Sequence, residues 1–267
     1  MIKSNLHTHT TFCDGKDTVE NMVRAAIDNG YSTIGFSAHS YTPFDTSYCL
    51  KDEKAYSDEV DRIKKLYADK IKVLKGIELD YYGRMPSFDV DYVIGTVHYV
   101  KKNNEYIPID DTKEKLVECV DRLYGGDIYE LIKDYYKTYR DMVLNINPTI
   151  CGHIDLINKF NIDGKFFDAQ SAEYFNEIIE VIDALPSSRL FEINVGNIMK
   201  NCAVNPYPSY ALLTVMAKRN FKYTLSLDAH NATAFSYDFS DVIRRVKKCG
   251  INKLTAFEGN VKREIVF

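Results

Sequence analysis

Seven short apolar runs, SNLHTH, TIGFSAH, VLKGIEL, YVIGTVH, TICGHID, LFEINV and YTLSLDAH, alternate with longer amphipathic stretches, and this alternation is the strongest constraint on the fold. Runs of this length read as buried strands. The stretches between carry helical periodicity over roughly 18–29, 55–68, 113–145 in two pieces, 169–185, 208–219 and 239–249. Strand and helix in strict alternation imply parallel strands joined by right-handed crossovers. Seven such units in one chain predict an α/β fold, a closed or nearly closed barrel of the TIM-barrel kind rather than an open sheet. We read residues 1–267 as a single domain.

Local punctuation agrees. Asp17 with Glu20 makes a capping-box-like helix start, and Gly30 and Gly250 stand where a glycine would close a helix before the next strand.

The histidines fall in a pattern. All six, His7, His9, His39, His98, His153 and His230, lie at or near strand ends, on five of the seven strands. Glu78 ends the third strand, and the sixth, around Glu192, brings no imidazole. His7/His9, His153/Asp155 and Asp228/His230 are two residues apart, a spacing that puts side chains on one face of a strand. Barrels of this kind gather their chemistry at the C-terminal strand ends, where the βα loops converge. Scattered core histidines would not prefer that end. Imidazole with carboxylate is the ligand mix for zinc, iron or manganese, and such a site weakens in acid as its ligands take up protons.

Charge and composition exclude other classes. The formal net charge is -4 and no basic stripe runs along a face, which disfavours a nucleic-acid partner. The densest basic run, Arg244, Arg245, Lys247 and Lys248, reads as the solvated face of an amphipathic helix. No apolar stretch approaches the roughly 20 residues that span a bilayer, and MIKSNLHTHT enters the candidate site without a signal-peptide apolar region, so a cytoplasmic protein without membrane partners is expected. Six cysteines without a CxxC pair read as reduced thiols rather than a disulfide framework or thiolate zinc knot. Cys13 and Cys151 stand near histidines, but imidazole and carboxylate already suffice as ligands.

The motifs LHTHTTFCDG, SAH at 37–39, GIE at 76–78, TVHY at 96–99, GHID at 152–155 and SLDAH at 226–230 resemble, in order, those of the PHP (polymerase and histidinol phosphatase) superfamily. The resemblance runs from residue 4 to about 231. Within the superfamily the chain is most similar to the histidinol-phosphate phosphatases, through GHID followed by a basic position at Lys159, the FEIN strand and the segment MKNCAVNPYPS.

This resemblance implies a distorted (β/α)7 barrel and two to three divalent metal ions, zinc, iron or manganese. Residue by residue, it implies a first metal held by His7, His9, Glu78 and Asp228, a second held by Glu78, His98 and His153, and a third held by Asp14, His39 and His230. The chain departs from the pattern in two places. Some relatives carry a histidine near Asp14, and many carry an acid before His39 where this chain has Ala38.

Three ligating carboxylates leave three divalent ions short of anionic charge, so the cluster favours an anionic substrate. The expected reaction is hydrolysis of a small-molecule phosphomonoester, L-histidinol phosphate, to L-histidinol and phosphate, as in histidine biosynthesis. A metal-bridging hydroxide would attack phosphorus in line, without a covalent phosphoenzyme. Asp228 is the candidate for the nucleophile's proton, and a histidine or bound water for protonating the alkoxide. Lys159 or Lys200 would supply a further cation, and Glu192 is either an acidic partner for the substrate's amine or a buried structural group.

Aromatic residues near strand ends, Tyr41, Phe44, Tyr81, Tyr82, Tyr99 and Phe235, either wall the organic half of the substrate or pack loops and core. The alternatives are another PHP-type phosphoesterase acting on a nucleotide, an oligonucleotide end or a phosphoprotein, and a non-catalytic metal-binding protein. The first needs a basic groove, and the second needs broken ligand positions; neither is visible. The sequence assigns no oligomeric state.

Overall fold

The computed structural model describes residues 3–161 and 164–267; Met1 and Ile2, the first residues of the start read above as free of a leader, lie outside them. Its strands are β1 (Ser4–Asn5), β2 (Thr33–His39), β3 (Lys72–Asp80), β4 (Tyr92–Thr96), β5 (Tyr99–Lys102), β6 (Glu105–Pro108), β7 (Ile150–Cys151), β8 (Leu190–Asn194), β9 (Lys222–Ser226), β10 (Lys253–Glu258) and β11 (Val261–Val266). The helices are α1 (Val19–Asp28), α2 (Glu53–Leu66), α3 (Lys113–Tyr124), α4 (Ile128–Ile146), α5 (Ala172–Asp183), α6 (Gly196–Asn201), α7 (Tyr210–Met216) and α8 (Ser240–Lys248).

Seven strands form one parallel sheet in the order β1, β2, β3, β4, β7, β8, β9. A parallel bridge between Thr8 and Ala229 joins its two edges, with His9 N–H donating to Ala229 O at 2.8 Å and Ala229 N–H to His7 O at 3.0 Å. The barrel is therefore nearly closed. Every residue of β2 is buried, as expected of a parallel strand covered on both faces.

The apolar side chains divide into two sets. The larger packs the helices onto the sheet, and a smaller one, Leu6, Leu74, Tyr92, Ile94, Ile150, Leu190 and Phe257, draws on strand after strand and fills the barrel interior. Tyr92 occupies that interior because Gly35 and Gly76 lack side chains. A Cβ on Gly76 would lie 2.3 Å from the Tyr92 ring, and one on Gly35 2.5 Å from its hydroxyl. Side-chain oxygens of Thr18, Asp52, Thr112, Asp127, Ser171 and Ser209 cap helix N-termini by accepting N–H groups that the helix leaves unpaired.

Four features differ from expectation. Alternation is not strict: β3 and β4 are joined by irregular chain over 81–91, where Gly83 and Pro86 break any helix. The β5–β6 hairpin follows β4, turned by Asn103 and Asn104 at φ 50° and 64°, the pair of left-handed residues that a type I′ turn requires. A second hairpin, β10–β11, lies under the barrel, where Phe257 enters the interior and its N–H donates to Ser4 Oγ at 3.0 Å. Finally, α1 starts one residue later than the Asp17 cap predicted. Thr18 caps the helix while Asp17 ties two loops together, accepting from Thr11 N–H and Ala232 N–H. Gly30 and Gly250, at φ 74° and 93°, do follow α1 and α8 as expected.

Among the described residues no helix is long and apolar enough to cross a membrane. All six cysteines are free thiols. On α8, Arg244 and Arg245 pair with Asp241 of the same helix.

Candidate metal centre

The strand ends deliver the ligating groups to one place. His39 is the last residue of β2 and Glu78 lies within β3, while His98 and His153 stand two residues beyond β4 and β7. His7 and His9 flank the closing bridge at Thr8, so the two-residue spacing works as expected and both rings turn to the same buried face. Asp14 comes back to them through a tight loop. Its neighbour Gly15 must lack a side chain, since a Cβ there would lie 2.4 Å from Thr10 N.

Glu78 is the hub. Its Oε2 lies 3.1 Å from His7 Nε2, 3.3 Å from His9 Nε2 and 3.1 Å from His39 Nδ1. Its Oε1 lies 3.0 Å from His153 Nε2 and 3.4 Å from His98 Nε2. Asp228 Oδ1 closes one side, 3.4 Å from His9 Nε2 and 3.3 Å from His230 Nδ1. Asp14 closes the other, with Oδ2 at 3.0 Å from His230 Nε2 and 3.6 Å from His39 Nε2.

Asp228 is held in a costly conformation. Its φ is 50°, a region that residues with side chains avoid, and a Cβ on the facing Gly196 would lie 2.9 Å from Asp228 Oδ2. Lys200 Nζ, from α6, is 3.5 Å from that same oxygen.

Mutual charge sets the protonation states. Burial disfavours charge at Glu78 and Asp228, but the imidazoles around Glu78, and Lys200 with His7 and His230 beside Asp228, hold both carboxyls well below the usual range. Asp14 is lowered too, His39 and His9 overcoming its burial. Burial likewise opposes charge on His7, yet Glu192, Glu78 and Asp228 raise it to about 10. His230 moves the other way, pushed down by burial and by His9.

These residues suit metal. His7 Nε2, His9 Nε2 and Glu78 Oε2 are buried atoms that approach one another without a hydrogen-bond partner, a costly arrangement that a shared cation relieves. Three overlapping donor groups lie within reach of single ions: His7, His9 and Glu78; His39, Glu78 and His98; and His9, Asp14, His39 and His230. Cys13 Sγ is 3.6 Å from His9 Nδ1, outside these groups, and Cys151 is a buried thiol pushed up to about 12 by burial.

A cavity of about 360 Å³ opens above the cluster, lined by Lys16, Lys159 and Lys200 as well as by the acids. Glu192, for which the sequence left two roles open, takes the second. It is 1% exposed and does not line this cavity, and it accepts from His7 Nδ1 and His153 N–H, both at 2.8 Å, and from Asn194 Nδ2 at 3.1 Å. Asp155, paired with His153 by spacing, also turns away, to accept Ser209 N–H at 2.8 Å. The strand has ended at Cys151, so the alternation that would place both on one face no longer holds.

Sequence reasoning missed several groups, Lys16 in the cavity lining among them. Asp80 accepts His98 N–H at 2.7 Å, and its position two residues after Glu78 on β3 was a usable signal. Asp110 and Tyr207 line the cavity, brought there by connections that no local pattern announces. Of the aromatic residues singled out, Phe235 is buried core, while Phe44 and Tyr99 pack edge to face in a cluster with Tyr106 outside the cavity lining.

The sequence matches the PHP domain family over residues 5–195. The histidinol-phosphatase of Bacillus subtilis is 24% identical over 92% of this chain and the whole of its own length. That of Lactococcus lactis subsp. lactis is 26% identical over 97% of this chain and 96% of its own. The crystal structure of histidinol phosphate phosphatase from Lactococcus lactis, complexed with zinc, L-histidinol and phosphate, superimposes with a TM-score of 0.72 and 21% identity over 98% of each chain, and so shares this fold.

Proposed function

This chain belongs to the PHP domain family, and from that premise we propose that it is a metal-dependent phosphomonoesterase that hydrolyses L-histidinol phosphate to L-histidinol and inorganic phosphate. The observation that carries this reading is the convergence of His7 Nε2, His9 Nε2 and Glu78 Oε2, buried and unpartnered, beneath a cavity rimmed by lysines. Relatives that match over nearly the whole chain bear the name histidinol-phosphatase, and a protein of the same fold binds zinc, L-histidinol and phosphate.

Two to three divalent ions, zinc, iron or manganese, would be held by His7, His9, Glu78 and Asp228, by Glu78, His98 and His153, and by Asp14, His39 and His230, residues that approach one another within 3.7 Å. When bound, such ions supply Lewis acidity toward phosphate oxygens and lower the pKa of water to about 7. The chain's own groups do the rest. Asp228 Oδ2, held ionised beside Lys200, takes the proton of the attacking water. Lys159 and Lys200 neutralise the phosphate from across the cavity. A cavity of about 360 Å³ suits a small-molecule phosphomonoester.

The test is steady-state turnover of metal-reconstituted protein on L-histidinol phosphate, phosphoserine and a nucleoside monophosphate. Strong preference for the first is expected, and equal rates on all three would remove the substrate assignment. Hydrolysis in oxygen-18 water places the label in phosphate if water attacks phosphorus directly.

A further inference from the structure

Three lysines line the cavity, and two of them are already engaged by acids. Lys159 Nζ lies 3.3 Å from Asp110 Oδ2 and donates to the Asp110 carbonyl oxygen at 2.5 Å, and Lys200 Nζ lies 3.5 Å from Asp228 Oδ2. Lys16 has no acidic partner among the described residues. Its place is fixed by the backbone rather than by its side chain. The loop over 10–17 folds back on itself, Gly15 N–H donating to Thr10 O at 3.1 Å and Thr11 N–H to Asp17 O at 3.0 Å. Lys16 N–H then donates to His230 O at 2.7 Å, which ties the residue to the cluster through a histidine that itself meets Asp14 Oδ2 at 3.0 Å.

An ammonium in an ion pair has part of its charge cancelled by its carboxylate, and drawing it toward a phosphate leaves that carboxylate short of its partner. An unpaired ammonium on an anchored loop meets neither cost. A phosphate on the cluster therefore finds its most available side-chain cation at Lys16, not at Lys159 or Lys200. We propose that Lys16 is a further phosphate-binding residue of this site, its Nζ donating to a phosphoryl oxygen in a charge-assisted hydrogen bond. This rests on the function proposed above.

The test uses zinc-reconstituted protein, with inorganic phosphate as the probe and L-histidinol phosphate as the substrate, in wild type, Lys16→Met and Lys16→Arg. Calorimetric titration should show phosphate binding about tenfold weaker in Lys16→Met and near the wild-type value in Lys16→Arg, with equal zinc content in all three. KM for L-histidinol phosphate should rise in step, and the fall of kcat/KM with ionic strength should flatten in Lys16→Met. Wild-type phosphate affinity in Lys16→Met overturns the inference. So does an equal loss in both variants, which makes the loop rather than the charge the cause, and so does a loss of zinc. Wild type that binds phosphate through Lys16 yet leaves L-histidinol phosphate intact would sink the substrate assignment and leave this inference standing.

Discussion

Glu192 accepts the Nδ1–H of His7 at 2.8 Å, across 185 residues of sequence, and both side chains are 1% exposed. Its other oxygen takes the N–H of His153. One buried carboxylate thus fixes the tautomer of one proposed ligand, leaving Nε2 free for metal, and anchors the backbone of a second. Glu192→Gln keeps the shape but weakens that hold. Metal affinity should fall by about 10 to 100-fold with the fold retained, as read by competitive chelator titration and circular dichroism. Unchanged affinity would show that His7 needs no such partner.

Gly196 leaves the space that Asp228 fills. Gly196→Ala sets a methyl 2.9 Å from Asp228 Oδ2 and 3.1 Å from its Cβ. The carboxylate must move, so kcat should drop by about 100-fold while the melting temperature changes little, because a misplacement of about 1 Å costs that much in rate. A variant with wild-type kcat would place Asp228 outside the chemistry.

The metal-free protein should hold protons that the metal must displace. Burial lowers the basicity of His7, but Glu192, Glu78 and Asp228 raise it to about 10; for His98, Asp80 and Glu78 outweigh burial and raise it to about 9. A raised imidazole pKa keeps the ring charged through neutral pH, so affinity climbs through pH 7 and 8 and levels only near 9 to 10. The stability these rings lend the metal-free fold is full below the ordinary histidine pKa of about 6.5 and is lost as pH rises toward 9 to 10. Calorimetric zinc titrations in buffers of different ionisation enthalpy should show more than about one proton released at pH 7.5. Binding with no proton release there would contradict the expected charge states.

Phe257 carries the C-terminal hairpin into the barrel interior beside Leu6, Leu74 and Tyr92, and is 3% exposed. Phe257→Ala should destabilise the protein by about 3 to 5 kcal/mol, measured by urea unfolding, yet leave the activity of the folded fraction intact. Loss of turnover without loss of stability would mean that the floor of the barrel communicates with the site at its mouth.

The fold was legible wherever local pattern and burial coincide. TIGFSAH reads as a doubly covered parallel strand and is one, and GGD at 125–127 splits the long helical stretch where Gly125 takes φ 62°. The β5–β6 hairpin has its signal in the adjacent Asn103 and Asn104, which take the left-handed pair of a tight turn. The β10–β11 hairpin was not anticipated, since what fixes its place is contact with the interior rather than local propensity. His7 and His9 were readable as a pair because backbone alternation persists through the closing bridge; His153 and Asp155 were not, because β7 stops at Cys151.

What the sequence determined by itself is the barrel's repeating unit and the identity of the histidines gathered at its mouth, because strand periodicity and ligand chemistry are properties of residues a few positions apart. Where each group sits relative to the others was decided only in three dimensions. Glu192 lies behind His7, Asp110 beside Lys159 and Gly196 under Asp228 through contacts spanning tens to hundreds of residues. Local pattern carries no information about such distances; barrel closure supplies it.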